Sequence, residues 1–92
     1  MLNGRQRAYL RSLANTLKPI TQIGKDGVTE GFLDQLDAML DSRELVKVTI
    51  LETAGLDAKE TANAICKALR AEFVQAIGFK FTLYRKNVDE PK

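Results

Sequence analysis

The chain has 92 residues, of which 45% are hydrophobic and 28% are charged, and its formal net charge is +2. These values predict one soluble globular domain with a single modest core, and they argue against an intrinsically disordered chain. No apolar run approaches the ~20 residues that a membrane-spanning helix needs. The segment Met1–Arg5 also lacks the apolar core of a secretory signal.

Chemically reactive side chains are scarce. The chain has no histidine and a single cysteine, Cys66. Neither a zinc site nor a Ser/His or Cys/His nucleophile pair can be built from such a set, and the carboxylates form no evident pair in an apolar cleft. We therefore expect no enzyme, no metal and no cofactor. A lone cysteine cannot form an internal disulfide, which is typical of the reducing cytosol and predicts a cytoplasmic location.

The charges are distributed unevenly along the chain. Residues 1–25 contain five basic residues and no acidic one, whereas residues 26–44 contain six acidic residues and one basic one. The five basic residues are Arg5, Arg7, Arg11, Lys18 and Lys25. A one-sided basic segment is typical of a nucleic-acid contact, although a solvated amphipathic helix has the same appearance.

The first predicted element is a helix that Asn3 caps and Pro19 ends. Its apolar stripe, spaced as one helical face, consists of Leu10, Leu13, Ala14 and Leu17. The three arginines Arg5, Arg7 and Arg11 lie off this stripe. We therefore expect them in solvent or on a ligand.

A short strand over Ile20–Ile23 is predicted next, followed by the loop Gly24-Lys25-Asp26-Gly27 and by a helix that Thr29 caps. Glycines allow another backbone to approach closely, and the helix end offers free N–H groups and a positive dipole. Lys25 adds a positive charge, so the loop suits a phosphate. An ordinary turn is the alternative, because G-x-x-G is short and frequent.

The middle of the chain predicts a helix over Thr29–Leu40, a strand over Leu45–Leu51 and a third helix that begins after Asp57. The buried positions expected in the second helix are Phe32, Leu36, Met39 and Leu40, with Asp34, Asp37 and Asp41 on its solvated side. Those expected in the third helix are Ala58, Ala62, Ile65, Cys66 and Leu69. On this stripe Cys66 is a small core residue and not a nucleophile.

Two further strands, Phe73–Ile77 and Phe79–Arg85, are predicted to pair as a hairpin across Gly78. In the last strand one face is expected to carry Phe79, Phe81 and Leu83, and the other Lys80, Thr82 and Tyr84. Tyr84, with Lys80 and Arg85, is a candidate for stacking on unpaired bases. The alternative is that Tyr84 packs under a helix or under the tail.

The element order is therefore α-β-α-β-α-β-β, which predicts a compact α+β sandwich with helices packed on a mixed four-stranded sheet. Residues 1–86 form the single domain, and 87–92 form a polar tail without periodicity.

Several stretches together resemble the CRM domain, and specifically the bacterial YhbY-type proteins that consist of that domain alone. These stretches, in order, are Leu13-Ala14, Leu17-Lys18-Pro19-Ile20, Ile23-Gly24-Lys25-Asp26-Gly27, Thr29-Glu30, Arg43-Glu44-Leu45-Val46-Lys47-Val48, Gln75-Ala76-Ile77-Gly78 and Leu83-Tyr84-Arg85. The resemblance covers roughly residues 2–86. After the late glycine many members carry a basic residue, whereas this chain has Phe79 and then Lys80.

The resemblance implies RNA binding, the fold of the C-terminal domain of bacterial translation initiation factor three, and association with precursors of the large ribosomal subunit. The family's RNA-contacting loop corresponds to Gly24–Gly27. Its basic ends correspond to Arg5, Arg7, Lys18, Lys80 and Arg85.

We therefore expect a monomeric RNA-binding module that acts in large-subunit assembly. The candidate RNA-binding residues are Gly24, Lys25, Asp26, Gly27, Arg5, Arg7, Arg11, Lys18, Lys80, Tyr84 and Arg85. The alternative is a protein-interaction module whose acidic second helix docks a basic partner.

Overall fold

The computed structural model describes residues 3–86, so the polar tail expected at 87–92 lies outside the described residues. Its elements are α1 (Gly4–Ala14), β1 (Thr21–Ile23), α2 (Glu30–Arg43), β2 (Leu45–Ile50), a 3-10 turn (Glu52–Ala54), α3 (Ala58–Leu69), β3 (Glu72–Ile77) and β4 (Lys80–Tyr84). Apart from the 3-10 turn, this is the predicted order, and the α+β class is confirmed. None of the helices within 3–86 combines the length and hydrophobicity that crossing a bilayer requires.

The four strands form one mixed sheet in the order β1-β2-β4-β3. β1 pairs with β2 in parallel, and the other two pairs are antiparallel. β1 and β2 both finish at one end of the sheet, where Ile23 lies opposite Ile50. β4 starts at the same end, where Lys80 lies opposite Thr49. The loop after β1 and the β3–β4 turn therefore lie at the same end of the sheet, on either side of the end of β2.

The main core lies between the sheet and the helices α2 and α3. The alternation predicted for β2 holds, because Val46, Val48 and Ile50 are all at most 1% exposed. From the helices, Leu36 and Ile65 fill the space above the sheet and are equally buried. This alternation of buried and half-buried residues is that of a strand with one face on the core.

Helix α1 packs on the opposite face of the sheet. Its Leu10 and Ala14 form a second, smaller cluster with Val74, and Leu45 and Tyr84 pack against that cluster. Val74 follows Phe73, which packs on the main core, so the alternation of the strand places Val74 on this side. An irregularity between Phe73 and Gln75 adds one residue to β3 at this point. The sheet is therefore covered by helices on both faces.

The helix starts follow the predicted caps. Asn3 and Gln6 form a reciprocal capping box, with Oδ1 of Asn3 accepting from the N–H of Gln6 at 2.8 Å. Oδ2 of Asp57 accepts from the N–H of Glu60 at 2.9 Å. The C-terminal end of α2 was predicted too early: the helix continues past Leu40 and stops at Glu44, whose φ of 65° leaves the helical region.

Two expectations about burial were wrong. Leu13, expected on the apolar stripe, is 37% exposed, and the helix ends before Leu17. Phe79 was expected on the core face of the last strand, but it lies in the turn before β4 and is 48% exposed. The turn begins with Gly78 at φ +60°, and this reversal delays the strand until Lys80.

Candidate nucleic-acid interface

The G-x-x-G loop is a hydrogen-bonded turn. The N–H of Gly27 donates to the carbonyl oxygen of Gly24 at 2.9 Å, which closes a four-residue β-turn around Lys25 and Asp26. Gly27 has a φ of +73°, whereas Gly24 lies outside the left-handed region. Only Gly27 is therefore required by the turn geometry itself, and both central side chains are exposed.

The turn leads directly into the N-terminus of α2. The hydroxyl of Thr29 accepts from the N–H of Phe32 at 3.1 Å, as the predicted cap requires. The N–H groups of Glu30 and Gly31 belong to the first turn and have no partner within the helix. They add a positive electrostatic potential, which the exposed carboxylate of Glu30 partly offsets.

Two backbone hydrogen bonds join the loop to its neighbours. The N–H of Leu51 donates to the carbonyl of Ile23 at 2.9 Å, and the N–H of Ile50 donates to the carbonyl of Phe79 at 2.6 Å. Together they connect the G-x-x-G loop, the end of β2 and the β3–β4 turn. We call this set of residues, 24–27, 50–51 and 78–80, the loop edge.

The loop edge carries two exposed lysines, Lys25 and Lys80, and so combines a positive charge with an accessible backbone. A Cβ placed on Gly24 would lie 3.8 Å from Cδ1 of Leu51, an ordinary contact, and one placed on Gly27 would meet no atom within 4 Å. Asp26 and Glu52 are also exposed at this end and oppose an anion. The surface is thus open but only weakly basic.

Lys47 is a structural cation that the sequence interpretation missed. Its Nζ donates to the carbonyls of Ala14 at 3.1 Å and Leu17 at 3.3 Å, at the C-terminal end of α1. The carbonyl of Ala14 also accepts from the N–H of Leu17 at 3.1 Å, and the positive charge of Lys47 suits the negative end of the helix dipole. This contact holds the end of α1, and with it the segment carrying Lys18, over the sheet.

The arginines of α1 do not all face solvent. Arg5 and Arg11 are exposed, but Arg7 is half-buried and its Nη1 donates to the carbonyl of Phe73 at 3.0 Å. Phe73 lies near the start of β3, opposite Leu83, and so at the end of the sheet away from the loop edge. The expectation of Arg7 in solvent or on a ligand was wrong, because the guanidinium binds β3.

Arg85 is held by the fold. Its guanidinium lies 2.6 Å from Asp37 Oδ1 and 2.8 Å from Asp41 Oδ1, and it donates to the carbonyl of Leu69 at 2.8 Å. The arginine side chain is only 18% exposed. Asp37 and Asp41 lie on the solvated side of α2, as expected, since their side chains are 50% and 73% exposed. Their pairing with Arg85 was not predicted.

Tyr84 is half-buried and packs against the cluster of Leu10, Ala14 and Val74 beneath α1. Of the two interpretations of Tyr84, the structure therefore favours packing under a helix. The remaining candidate, Lys18, is exposed in the segment between α1 and β1.

Cys66 is half-buried on α3 and packs against the main core, as expected. Burial raises the pKa of its thiol from 9.0 to about 11, and the negative charge of Glu72 adds to the effect. The group is therefore a neutral thiol near pH 7, which agrees with a packing role.

Comparison with known proteins places this geometry in a family. Residues 2–85 match the family model described as the CRS1 / YhbY (CRM) domain. The chain is 40% identical to the Probable RNA-binding protein YqeI of Bacillus subtilis, over 95% of this chain and 91% of that protein. It is 39% identical to a protein named RNA-binding protein from Haemophilus influenzae, over 91% of this chain and 85% of the other.

A solved structure has the same fold. The solution structure of SAV1595 from Staphylococcus aureus superposes with a TM-score of 0.77 at 42% identity, covering 100% of this chain and 95% of that one. The family match and these relatives span nearly the whole of the described chain. The chain therefore belongs to the CRS1 / YhbY (CRM) domain family.

Proposed function

We propose that this protein is an RNA-binding module without catalytic activity, and that it contacts the RNA backbone with its loop edge. The observation that carries the proposal is the hydrogen-bonded loop edge, where Gly24 is open to close approach and Lys25 and Lys80 are exposed. Relatives of similar length are named RNA-binding proteins, which supports the same class of ligand.

In this proposal the backbone contacts are made by Gly24, Lys25, Gly27 and Lys80, and phosphates along the α1 side are contacted by Arg5, Arg11 and Lys18. Each exposed cation that neutralises a phosphate releases counterions, so the affinity falls as salt rises. Asp26 opposes binding. Arg7, Tyr84 and Arg85 support the fold, because their polar groups or rings are engaged by other elements.

We further propose that the RNA is ribosomal RNA in precursors of the large subunit, and that the protein acts there as a monomer. The similarity to YhbY-type proteins supports this choice of RNA. A docking role for the acidic face of α2 is less favourable, because Arg85 already pairs with Asp37 and Asp41 and offsets half of their negative charge. A basic partner would have to compete with an intramolecular cation.

Two measurements test the proposal. Fluorescence anisotropy with labelled ribosomal RNA fragments should show binding that weakens steadily with salt concentration. In gradient sedimentation of a cell extract, the protein should migrate with large-subunit precursors and should leave that fraction after ribonuclease treatment. Failure to bind any RNA at low salt would reject the RNA-binding role, whereas RNA binding without co-sedimentation would reject only the ribosomal assignment.

A further inference from the structure

We propose that Phe79 stacks on an unpaired nucleobase at the loop edge, so that this site takes single-stranded RNA and excludes duplex. This inference rests on the RNA-binding function proposed above and deepens it by naming the form of the RNA. Stacking on aromatic rings is a common way of holding unpaired bases, because every base has a π face.

The position of Phe79 is fixed by the backbone. Its carbonyl accepts from the N–H of Ile50 at 2.6 Å, and the next residue along, Leu51, donates to Ile23 at 2.9 Å. Gly24 follows Ile23 directly. Through Ile50 and Leu51, two hydrogen bonds thus connect the backbone of Phe79 with the residue before the first glycine of the loop. In the proposed contact, a nucleotide whose backbone crosses Gly24 places its base on the ring of Phe79.

Phe79 is the phenylalanine that does not pack in the core. Phe81 is 1% exposed, and Phe32 and Phe73 are partly buried against the main cluster, whereas Phe79 remains 48% exposed. Gly78, at φ +60°, turns the chain immediately before it. Leaving a phenylalanine half in water forgoes the free energy of burying it, so packing in the core does not account for the position of this ring.

Charge and area favour a nucleobase over a protein partner. Lys25 and Lys80 are opposed at this edge by Asp26 and Glu52, so charge alone holds a polyanion weakly here and a stacking contact is needed. The exposed apolar residues are few, since Phe79 is accompanied mainly by Ile77 and Leu51. Such a small patch falls far short of the roughly 800 Å² per partner that a stable protein interface buries.

The first test compares substitutions in the same turn. Phe79→Ala and Phe79→Leu should each weaken binding of an unstructured single-stranded oligonucleotide by about tenfold or more. Ile77→Ala is the matched control, because Ile77 is more exposed, at 63%, and has no π face. It should change the affinity by less than about twofold. Affinity for a blunt duplex should be unaffected by all three changes, and melting temperatures on the same preparations confirm folding.

The second test is spectroscopic. The chain contains no tryptophan, so Phe79→Trp introduces a single tryptophan at the proposed contact, and its emission can be excited selectively over that of the two tyrosines. Single-stranded RNA should quench its emission by stacking, and duplex RNA at equal occupancy should not. An Ile77→Trp variant, measured in parallel, should respond weakly to both.

The possible outcomes distinguish a failure of RNA binding from a failure of the stacking role alone. If the unaltered protein binds no RNA, the proposed function is rejected together with this inference. If it binds single-stranded RNA while Phe79→Ala binds equally well and Phe79→Trp is not quenched, RNA binding stands and the stacking role is overturned. Equal quenching by single-stranded and duplex RNA would also overturn it, because paired bases do not offer their faces.

Discussion

The guanidinium of Arg85 lies 2.6 Å from the carboxylate of Asp37, and this contact ties the end of the sheet to α2. The same guanidinium reaches Asp41 Oδ1 and the backbone carbonyls of Asp37 and Leu69 at 2.8–2.9 Å. It therefore joins the residue after β4 to α2 and to the last turn of α3. The sequence suggests that this cation binds phosphate, but in the structure it holds the end of the sheet against α2 and α3.

The first prediction is that Arg85→Ala destabilises the protein without changing its RNA affinity. Removing the guanidinium abolishes its hydrogen bonds to two carboxylates and two carbonyls, and hydrogen bonds to charged groups contribute about 1.5–3 kcal/mol. Because the carboxylates are 50% and 73% exposed, water compensates partly, and we expect a loss of about 2 kcal/mol in the free energy of unfolding. Urea denaturation measures the loss, and anisotropy well below the melting temperature measures binding.

Arg85→Lys is the control for charge. A lysine keeps the positive charge but not the planar set of donors, so it should recover only part of the stability. A stable Arg85→Ala variant that binds RNA much more weakly than the parent would contradict the structural role and place Arg85 on the RNA.

The second prediction concerns the basic side of α1. Arg5 and Arg11 are exposed, so the double variant Arg5→Gln/Arg11→Gln should fold normally and bind RNA with a smaller salt dependence. Each lost phosphate contact with single-stranded RNA lowers the slope of log affinity against log salt by ~0.7. Arg7→Gln should instead reduce stability by about 1 kcal/mol, because it loses the hydrogen bond to Phe73. An unchanged slope in the double variant would remove α1 from the RNA interface.

The sequence predicts features that depend on residues close together in the chain, and it misses those that depend on residues far apart. The strand β2 and the starts of α2 and α3 follow from local periodicity and caps, so Val46, Thr29 and Asp57 were placed correctly. The role of Lys47 was not predictable, because a lysine alternating with β-branched residues is typical of a solvated strand face. Its acceptor Ala14 lies 33 positions away in the sequence.

The conformation of the candidate interface was predicted in part, again because only its local features are visible in the sequence. The G-x-x-G loop is local, and its turn hydrogen bond between Gly24 and Gly27 agrees with its sequence. The exposure of Phe79 was not predicted, because alternation with Phe81 assigned it to the core face. The conformation of Gly78 decides where the turn ends and β4 begins. The spacing of apolar residues carries no information about that conformation.

The third prediction is that Thr82→Val stabilises the protein. Thr82 is fully buried, and its Oγ1 has no hydrogen-bond partner within residues 3–86. Replacing an unsatisfied buried hydroxyl by a methyl of similar size removes a desolvation penalty, and we expect a gain of about 1 kcal/mol. Thr49→Val, on the same face but half-buried, is the control for strand propensity. Equal gains at both positions, measured by denaturation, would contradict this cause.

The fourth prediction concerns Cys66. Its thiol pKa of about 11 in the folded protein lies above the unfolded value of about 9, so the neutral thiol favours the folded state. This stabilisation is complete below about pH 9 and is lost as the pH rises toward 11. The free energy of unfolding should therefore fall more steeply over that range in the parent than in Cys66→Ala. At pH 7 the variant should lose about 1 kcal/mol and keep its RNA affinity.

The last prediction distinguishes two interpretations of the G-x-x-G loop, namely an RNA contact and an ordinary turn. Gly24→Ala adds a methyl in ordinary contact with Leu51 and needs no left-handed conformation, so it should leave the melting temperature unchanged or slightly higher. Gly27→Ala, at a φ of +73°, should cost about 1 kcal/mol or more in stability. If RNA backbone crosses the loop, Gly24→Ala nevertheless weakens binding.

The two central residues of the loop test its charge without touching either glycine. Lys25→Asp should weaken RNA binding by about 1 kcal/mol or more, roughly tenfold, because it replaces a charge-assisted contact with repulsion. Asp26→Asn should strengthen binding, since it removes a negative charge facing phosphate. Lys67→Asp, at an exposed position in the last turn of α3, is the matched control and should bind as the parent does. Should Lys25→Asp and Gly24→Ala both melt normally and bind RNA like the parent, the loop is only a turn and the RNA lies elsewhere.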